Sequence, residues 1–302
     1  MKDWIEFGLL RDFAAEHTEA FRLCTKPDGW VEGYGADALI SYKTEKARET
    51  IVRELGDWST MANLFFERIF ARHLPKQNSE RNPPRLLFGD ATLPLTRTVL
   101  ERNVCYALDF AAGYSAGLFL DQRENRQFVR RTAPRRTLNC FAYTCSFSVV
   151  AGLAGGLTVS IDLSQKSLQR GRENFTLNGM SMNQHRFIAD DVLAVLPRLA
   201  RKGERFDAII LDPPTFSRSR TGKAFQVEHD FERLLLAALA LTEREAKILL
   251  STNCTRLTER ALEVMVRYCL KASRRAGHLV PSLPLPDFPP GAGARSLWLI
   301  LR

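Results

Sequence analysis

The sequence predicts an α/β protein: a mostly parallel sheet covered by helices in the C-terminal half, preceded by a smaller mixed α+β region. Three observations carry this expectation. From residue 137 onward, short apolar runs alternate with helical stretches, which is the pattern of parallel strands joined by crossover helices. Up to about residue 118 the chain is irregular, without a sustained period of either kind. The 302 residues, 45% hydrophobic and 25% charged, have the composition of a folded protein with room for one large or two modest domains.

Taken in order, residues 29–35 read as turn-rich, 38–42 as a strand and 44–55 as a charged helix. Residues 75–84, with Lys76, Gln77, Asn78, Ser79 and Asn82 between prolines, read as a mobile loop. Residues 104–110 alternate as a strand does. A small N-terminal α+β domain is therefore expected over residues 1–118 and a second domain over 119–302. In the second, strands are expected at 137–141, 157–161, 185–188, 206–211, 247–251 and 296–301. The helices between them are expected at 146–154, 165–178, 192–201, 231–242 and 259–276. Right-handed crossovers would bring the strand ends, and any ligand, to one edge of the sheet.

Composition narrows the function classes. Lys plus Arg number 43 against 34 Asp plus Glu, a net charge of +9, which suits either a polyanionic partner such as RNA or plain solubility. No apolar run approaches the ~20 residues that span a bilayer. The N-terminal residues carry acids and no apolar cleavable core, so a cytoplasmic location without membrane attachment is expected. The six cysteines fall at 24, 105, 140, 145, 254 and 269 with no C-x-x-C pair, so neither a metal site nor a disulfide framework is expected.

Four constellations carry chemistry. The first, residues 138–146, runs from a strand through Asn139, Phe141, Tyr143 and Thr144 into a helix, a junction that offers backbone N–H groups to a ligand. The second, Asp162-Leu163-Ser164, puts an acid at the end of the next strand. That spacing suits a ribose diol and equally a helix N-cap. In the third, Asp191 and Val192 follow another strand, where a carboxylate can accept from an adenine amine or cap a helix. The fourth is the most specific: Asp212-Pro213-Pro214-Thr215-Phe216 ends an apolar strand in a rigid lip. Carbonyls and an aromatic there suit an extruded planar base.

The order of these segments, with Gln122, Arg123 and Arg126 upstream, resembles the S-adenosylmethionine-dependent methyltransferases that modify bacterial large-subunit ribosomal RNA, the cytosine-C5 and guanine-N7 enzymes among them. The resemblance covers residues 104–302, and more loosely 28–103, and so implies that the small domain over 1–118 is a possible RNA-substrate domain. Too few residues precede Asp28 for the PUA RNA-binding domain that opens some members. The resemblance implies a Rossmann-like class I methyltransferase fold with a seven-stranded sheet, six strands parallel and one antiparallel. It also implies S-adenosylmethionine as cofactor, an RNA and specifically ribosomal RNA partner, and no metal. Residue by residue, Asn139, Phe141, Tyr143 and Thr144 would line the methionine end, and Asp162 with Leu163 and Ser164 the ribose. Asp191 and Val192 would hold the adenine, Asp212 the edge next to the methyl group, and Gln122, Arg123 and Arg126 the approach to the cofactor carboxylate.

Two features leave alternatives open. Cys145 stands where the family has glycine, so its side chain must turn away from the ligand. Cys254 aligns with the nucleophile of the cytosine-C5 enzymes, whereas the residues around Pro213, Pro214 and Phe216 are closer to the guanine-N7 branch. In the N7 branch Cys254 would be a packing residue. Arg218, Arg220 and Lys223, just after the lip, are candidate RNA contacts. Acceptors on a protein or small molecule, or a non-catalytic RNA-binding role with Cys145 closing the site, remain as other readings. The sequence leaves the oligomeric state unknown.

Overall fold

The computed structural model describes residues 3–74, 82–218 and 224–302. It separates into two compact units, residues 1–123 with 284–290 and residues 124–283 with 291–302.

In the first unit, α1 (Phe7–Ala15) precedes β1 (Ala20–Lys26), β2 (Gly29–Tyr34) and β3 (Asp37–Tyr42), an antiparallel meander. Helix α2 (Glu45–Ala62) then crosses over to β4 (Arg68–His73), parallel to β3, and β5 (Arg85–Phe88) closes the sheet. Thr44 caps α2 by accepting from the Ala47 N–H (3.2 Å), and Ile51, Leu55 and Trp58 form its buried stripe. Of residues 29–35, expected to be turn-rich, 29–34 form β2, and Gly35 at φ 62° lies in the turn to β3. A Cβ on Gly29 would meet the Ser41 carbonyl at 2.4 Å, so this glycine permits close strand approach. Strands β6 (Thr96–Glu101) and β7 (Val104–Asp109) make a separate ribbon through Arg102 and Asn103, both at positive φ, as a tight hairpin requires. Of the expected loop at 75–84, residues 75–81 lie outside the described residues.

The second unit starts in α3 (Arg123–Thr132) and builds β8 (Arg136–Cys140), α4 (Ser146–Leu153), β9 (Leu157–Asp162), α5 (Gln165–Leu177), β10 (His185–Ala189), α6 (Val192–Arg201) and β11 (Phe206–Leu211). A short hairpin of β12 (Phe216–Arg218) and β13 (Ala224–Gln226) leads to α7 (Val227–Leu239), β14 (Thr242–Thr252), α8 (Glu259–Ala272), β15 (Gly277–Pro281) and β16 (Arg295–Leu301). The sheet order is β10-β9-β8-β11-β14-β16-β15, with β16 alone running against the other six. This is the seven-stranded sheet, six strands parallel and one antiparallel, that the resemblance implies. Strand β15, not expected, is an edge strand of mixed exposure that ends in proline. Leu138, Ile161, Ile209, Leu211, Leu250 and Phe231 sit in a single apolar core on the α6–α7–α8 side. No helix among the described residues is long and apolar enough to cross a membrane.

Candidate functional site

The chain proceeds from β8 outward to β9 and β10, then returns to β11 on the other flank of β8. Such a reversal opens a crevice beyond the carboxyl ends of the two central strands. Register fixes what meets there. Cys140 pairs with both Ile161 and Leu211, so Phe141 and Asp212 each stand one residue beyond a paired position on adjacent strands.

The turn after β8 has an uncommon backbone. Phe141, Tyr143 and Cys145 all adopt left-handed φ, at 59°, 48° and 61°. Such residues are disfavoured without glycine, and clusters of them mark ligand-shaped turns. The turn is held from outside: Ala142 N–H donates to the Ile161 carbonyl (2.9 Å), Cys145 N–H to the Ala142 carbonyl (2.7 Å), and Asn174 Nδ2 to the Thr144 carbonyl (2.9 Å).

Cys145 does turn inward. Its side chain is fully buried, and a Cβ on Gly171 of α5 would meet its Sγ at 2.5 Å. The missing glycine of the turn is therefore matched by a glycine in the facing helix, and the thiol lies in the space that glycine leaves. Burial pushes the Cys145 thiol up to about 12. It is a packed, protonated group that supplies no side-chain cap to α4.

Asp162 ties the turn to the next strand. Its Oδ2 accepts from the Tyr143 N–H and its Oδ1 from the Ser164 N–H, both at 2.8 Å. Burial raises its carboxyl above the ordinary 3.8, opposed by these two N–H groups. A carboxylate offers about four acceptor sites, so both oxygens retain capacity for a diol. Ser164 caps α5 through Ser167 N–H (3.1 Å), and Leu163 is half-buried between them. Asp191 caps α6, its Oδ1 accepting from Leu193 N–H (2.8 Å), while Val192 is buried in the core. Asp190 is engaged by Arg198 and the Asp191 N–H.

On the other side of the crevice Pro213 is buried, Asp212 half-buried, Pro214 exposed, and Phe216 50% exposed. Phe225 of β13 packs on Phe141 at 5.3 Å between ring centroids, joining the hairpin after the lip to the turn after β8. Cys254 follows β14 and is 4% exposed; its thiol donates to Glu228 Oε1 at the start of α7 (3.4 Å). Arg256 reaches the same carboxylate (3.4 Å), and Arg295 holds the loop through the Leu257 carbonyl (2.5 Å).

Of the other expected residues, four are buried. Asn139 is buried with its amide on Ser148 Oγ of α4 (3.0 Å), and Ser148 in turn shares a hydrogen with Ser160 (2.8 Å). Arg123 is enclosed in the first unit, its guanidinium on Asp287 and over the Phe13 ring. Gln122 and Arg126 are buried. Arg218 begins a segment whose side chains are not described, and Arg220 and Lys223 lie outside the described residues. No cluster among the described residues could hold a metal ion. Gly171, Asn174, Phe225 and Glu228 were not foreseen; each acts on a residue far along the chain, and no local pattern announces that.

The turn and carboxylates fit a nucleoside-bearing cofactor: the acids can accept from hydroxyl and amine donors, and the Cys145 side chain is buried against Gly171 of α5. Comparisons with known proteins agree. The sequence profile of the S-adenosylmethionine-dependent methyltransferase family matches residues 41–297. Ribosomal RNA large subunit methyltransferase I of Aeromonas salmonicida is 31% identical over 287 residues, covering 90% of this chain and 70% of that one. Its counterpart in Aeromonas hydrophila is 30% identical over 288 residues, with the same coverage of 90% and 70%. Among solved structures, SMU.776 in complex with SAH superposes with a TM-score of 0.82 at 22% identity, covering 98% of this chain and 78% of that one. The complex of aTrm5 with tRNALeu gives 0.56 at 15% identity, covering 97% and 74%. At these identities the two structures establish the fold.

Proposed function

The chain belongs to the S-adenosylmethionine-dependent methyltransferases and takes S-adenosylmethionine as its cofactor; we propose that it methylates a base of large-subunit ribosomal RNA. The observation that carries this is the Asp212-Pro213-Pro214 lip beside the turn at 141–145, in a chain whose relatives are named for that substrate. The +9 charge supports a polyanionic acceptor.

Asp162 accepts from the ribose diol, flanked by Leu163 and Ser164. Asp191 accepts from the adenine amine through the oxygen that does not cap α6, and Val192 backs the ring. Phe141, Tyr143 and Thr144 line the methionine end. The bound cofactor supplies an electrophilic methyl group on a positively charged sulfur. The chain contributes alignment and exclusion of water: Pro213 and Pro214 stiffen the lip, Asp212 holds the acceptor's edge, and the exposed Phe216 offers a stacking face for a base.

One observation favours cytosine C5 as the acceptor, the Cys254 thiol donating to Glu228. C5 is a poor nucleophile until sulfur adds at C6. Cys254 adds there as Glu228 takes the thiol proton. After methyl transfer to C5, the C5 proton leaves to solvent water as the C6–S bond breaks, the ring is restored, and the thiolate recovers its proton from Glu228. Guanine N7 already carries an in-plane lone pair and needs no such step.

The test is tritium transfer from labelled S-adenosylmethionine to deproteinised large-subunit ribosomal RNA, with mass mapping of the product. Label on one cytosine, lost in Cys254→Ser while cofactor binding persists, is the expected result. Label on one guanine, unaffected by Cys254→Ser, would overturn the C5 reading and make Cys254 a packing residue. Cofactor binding without any label on RNA would overturn the RNA reading.

A further inference from the structure

The edge of the seven-stranded sheet opposite the methyl-transfer loops is strongly basic. Arg201 and Lys202 end α6, Arg205 precedes β11, Arg244 protrudes from an irregularity at the start of β14, and Arg274 and Arg275 follow α8. Among the described residues none of these six has a carboxylate within ion-pair distance. The acids on this edge do not balance them. Glu204 is taken by Arg136 (3.1 Å) and Arg186 (2.8 Å), and Asp207 accepts the backbone N–H groups of Arg135 and Arg136. Only Glu243 and Glu245, exposed on either side of Arg244, remain.

The edge is also concave. A cavity of about 400 Å³ is lined by Arg205, Thr242, Ser273 and Arg275 over Leu236 and Leu239. Arg205 donates to the Glu204 carbonyl (2.8 Å) and Arg275 to the carbonyls of Glu243 (2.5 Å) and Arg244 (3.2 Å). Both guanidinium groups are thus held in place by neutral backbone acceptors.

Helix dipoles account for cations in a last helical turn, Arg201 among them. They do not account for Arg274. Helices α5, α6 and α8 all end in the same turn, in which the second residue past the helix is left-handed and the next N–H reaches back into the helix. After α5 and α6 that residue is Gly179 (φ 66°) or Gly203 (φ 72°); after α8 it is Arg274 (φ 52°). Arg274 N–H reaches the Lys271 carbonyl at 3.2 Å and Arg275 N–H the Leu270 carbonyl at 2.9 Å. An arginine in a position that favours glycine is a backbone cost that places an exposed charge on this edge.

We infer that this edge is a second RNA-docking surface, which holds the phosphodiester backbone of a segment flanking the target nucleotide. It rests on the RNA reading above. Strands of six residues separate the two edges by roughly 20 Å. A folded RNA therefore spans from one to the other, while a short oligonucleotide seated in the crevice does not.

The experiment measures binding of an in vitro transcript of large-subunit ribosomal RNA by fluorescence anisotropy, from roughly 50 to 200 mM salt. It compares the wild type, Arg274→Gly, and the triple variant Arg205→Gln, Arg274→Gly, Arg275→Gln. Arg274→Gly should unfold at the wild-type temperature or above and still bind RNA more weakly, a combination that a structural role for the side chain would not give. The triple variant should lose about tenfold or more in affinity, and the slope of log K against log salt should flatten by about two to three. Its affinity for S-adenosylmethionine should be unchanged. Wild-type RNA affinity and slope in both variants, with the transcript methylated normally, would overturn the docking surface alone. Failure of the wild type to bind the transcript would overturn the RNA reading and this surface with it.

Discussion

Both units have an apolar core, but they differ in what else they bury. The interior of the first carries charge: Asp37, fully buried, receives both Arg68 (2.9 and 2.6 Å) and Arg97 (2.6 and 3.2 Å). Glu32 is shared by Arg22 (3.1 Å) and Arg72 (3.2 Å), and Arg123 is paired with Asp287. In the second unit the core between sheet and helices is apolar, and carboxylates gather at the strand ends. The first unit's sheet is thus pinned by directional pairs that tolerate no missing partner. The second is a generic packed layer whose specificity is concentrated in the turns that follow its strands.

The largest effect should come from breaking that contrast in the first unit. Asp37→Ala leaves two guanidinium groups without their buried partner and should cost about 3–5 kcal/mol. A urea titration followed by tryptophan fluorescence, since Trp4 and Trp58 both lie in that unit, should show the loss; a shift under 1 kcal/mol would refute the pinned-sheet account. A smaller effect is expected where the second unit's core meets its site. Gly171→Ala drives a methyl group onto Cys145 Sγ and should cost about 1–3 kcal/mol. Cys145→Gly should restore stability in the Gly171→Ala background, and additive losses instead would mean that the two positions are uncoupled.

The smallest effect is on pH. Burial holds the Asp162 carboxyl above 3.8 in the folded state, so its contribution to stability is present below that value and is lost as pH rises through the raised one. Cofactor affinity runs the other way, because only the ionised carboxylate accepts fully from a diol. Calorimetry should therefore show affinity falling as pH falls through the raised value, and an affinity flat across that range would count against the ribose assignment.

These contrasts also explain what could be read from the sequence. The parallel strands from residue 137 were legible because a sheet buried on both faces writes itself as continuous apolar runs, as in Phe206–Leu211. The Asp-Pro-Pro lip was legible because prolines constrain the backbone locally. The segment at 29–35 was misread because Gly29 serves close strand approach, and only Gly35, at φ 62°, serves a turn. Ser164 and Asp191, each weighed as a helix cap, do cap α5 and α6. The Cys145–Gly171 match, the Cys254–Glu228 contact and the Arg123–Asp287 pair were invisible, since each joins residues that only the fold brings together. Arg123 illustrates the limit: the resemblance implied an approach to the cofactor carboxylate, and its pairing with Asp287, 164 positions away, shows only in the fold.

The central claim is that the turn at 141–145 and the carboxylate beside it bind the cofactor. The most direct measurement is calorimetric titration of wild type and Asp162→Ala with S-adenosylmethionine at neutral pH. One equivalent should bind the wild type, and affinity should fall at least about tenfold in the variant, or 1.4 kcal/mol, with the variant still folded. Equal affinity in the two proteins would place the cofactor elsewhere and contradict the account.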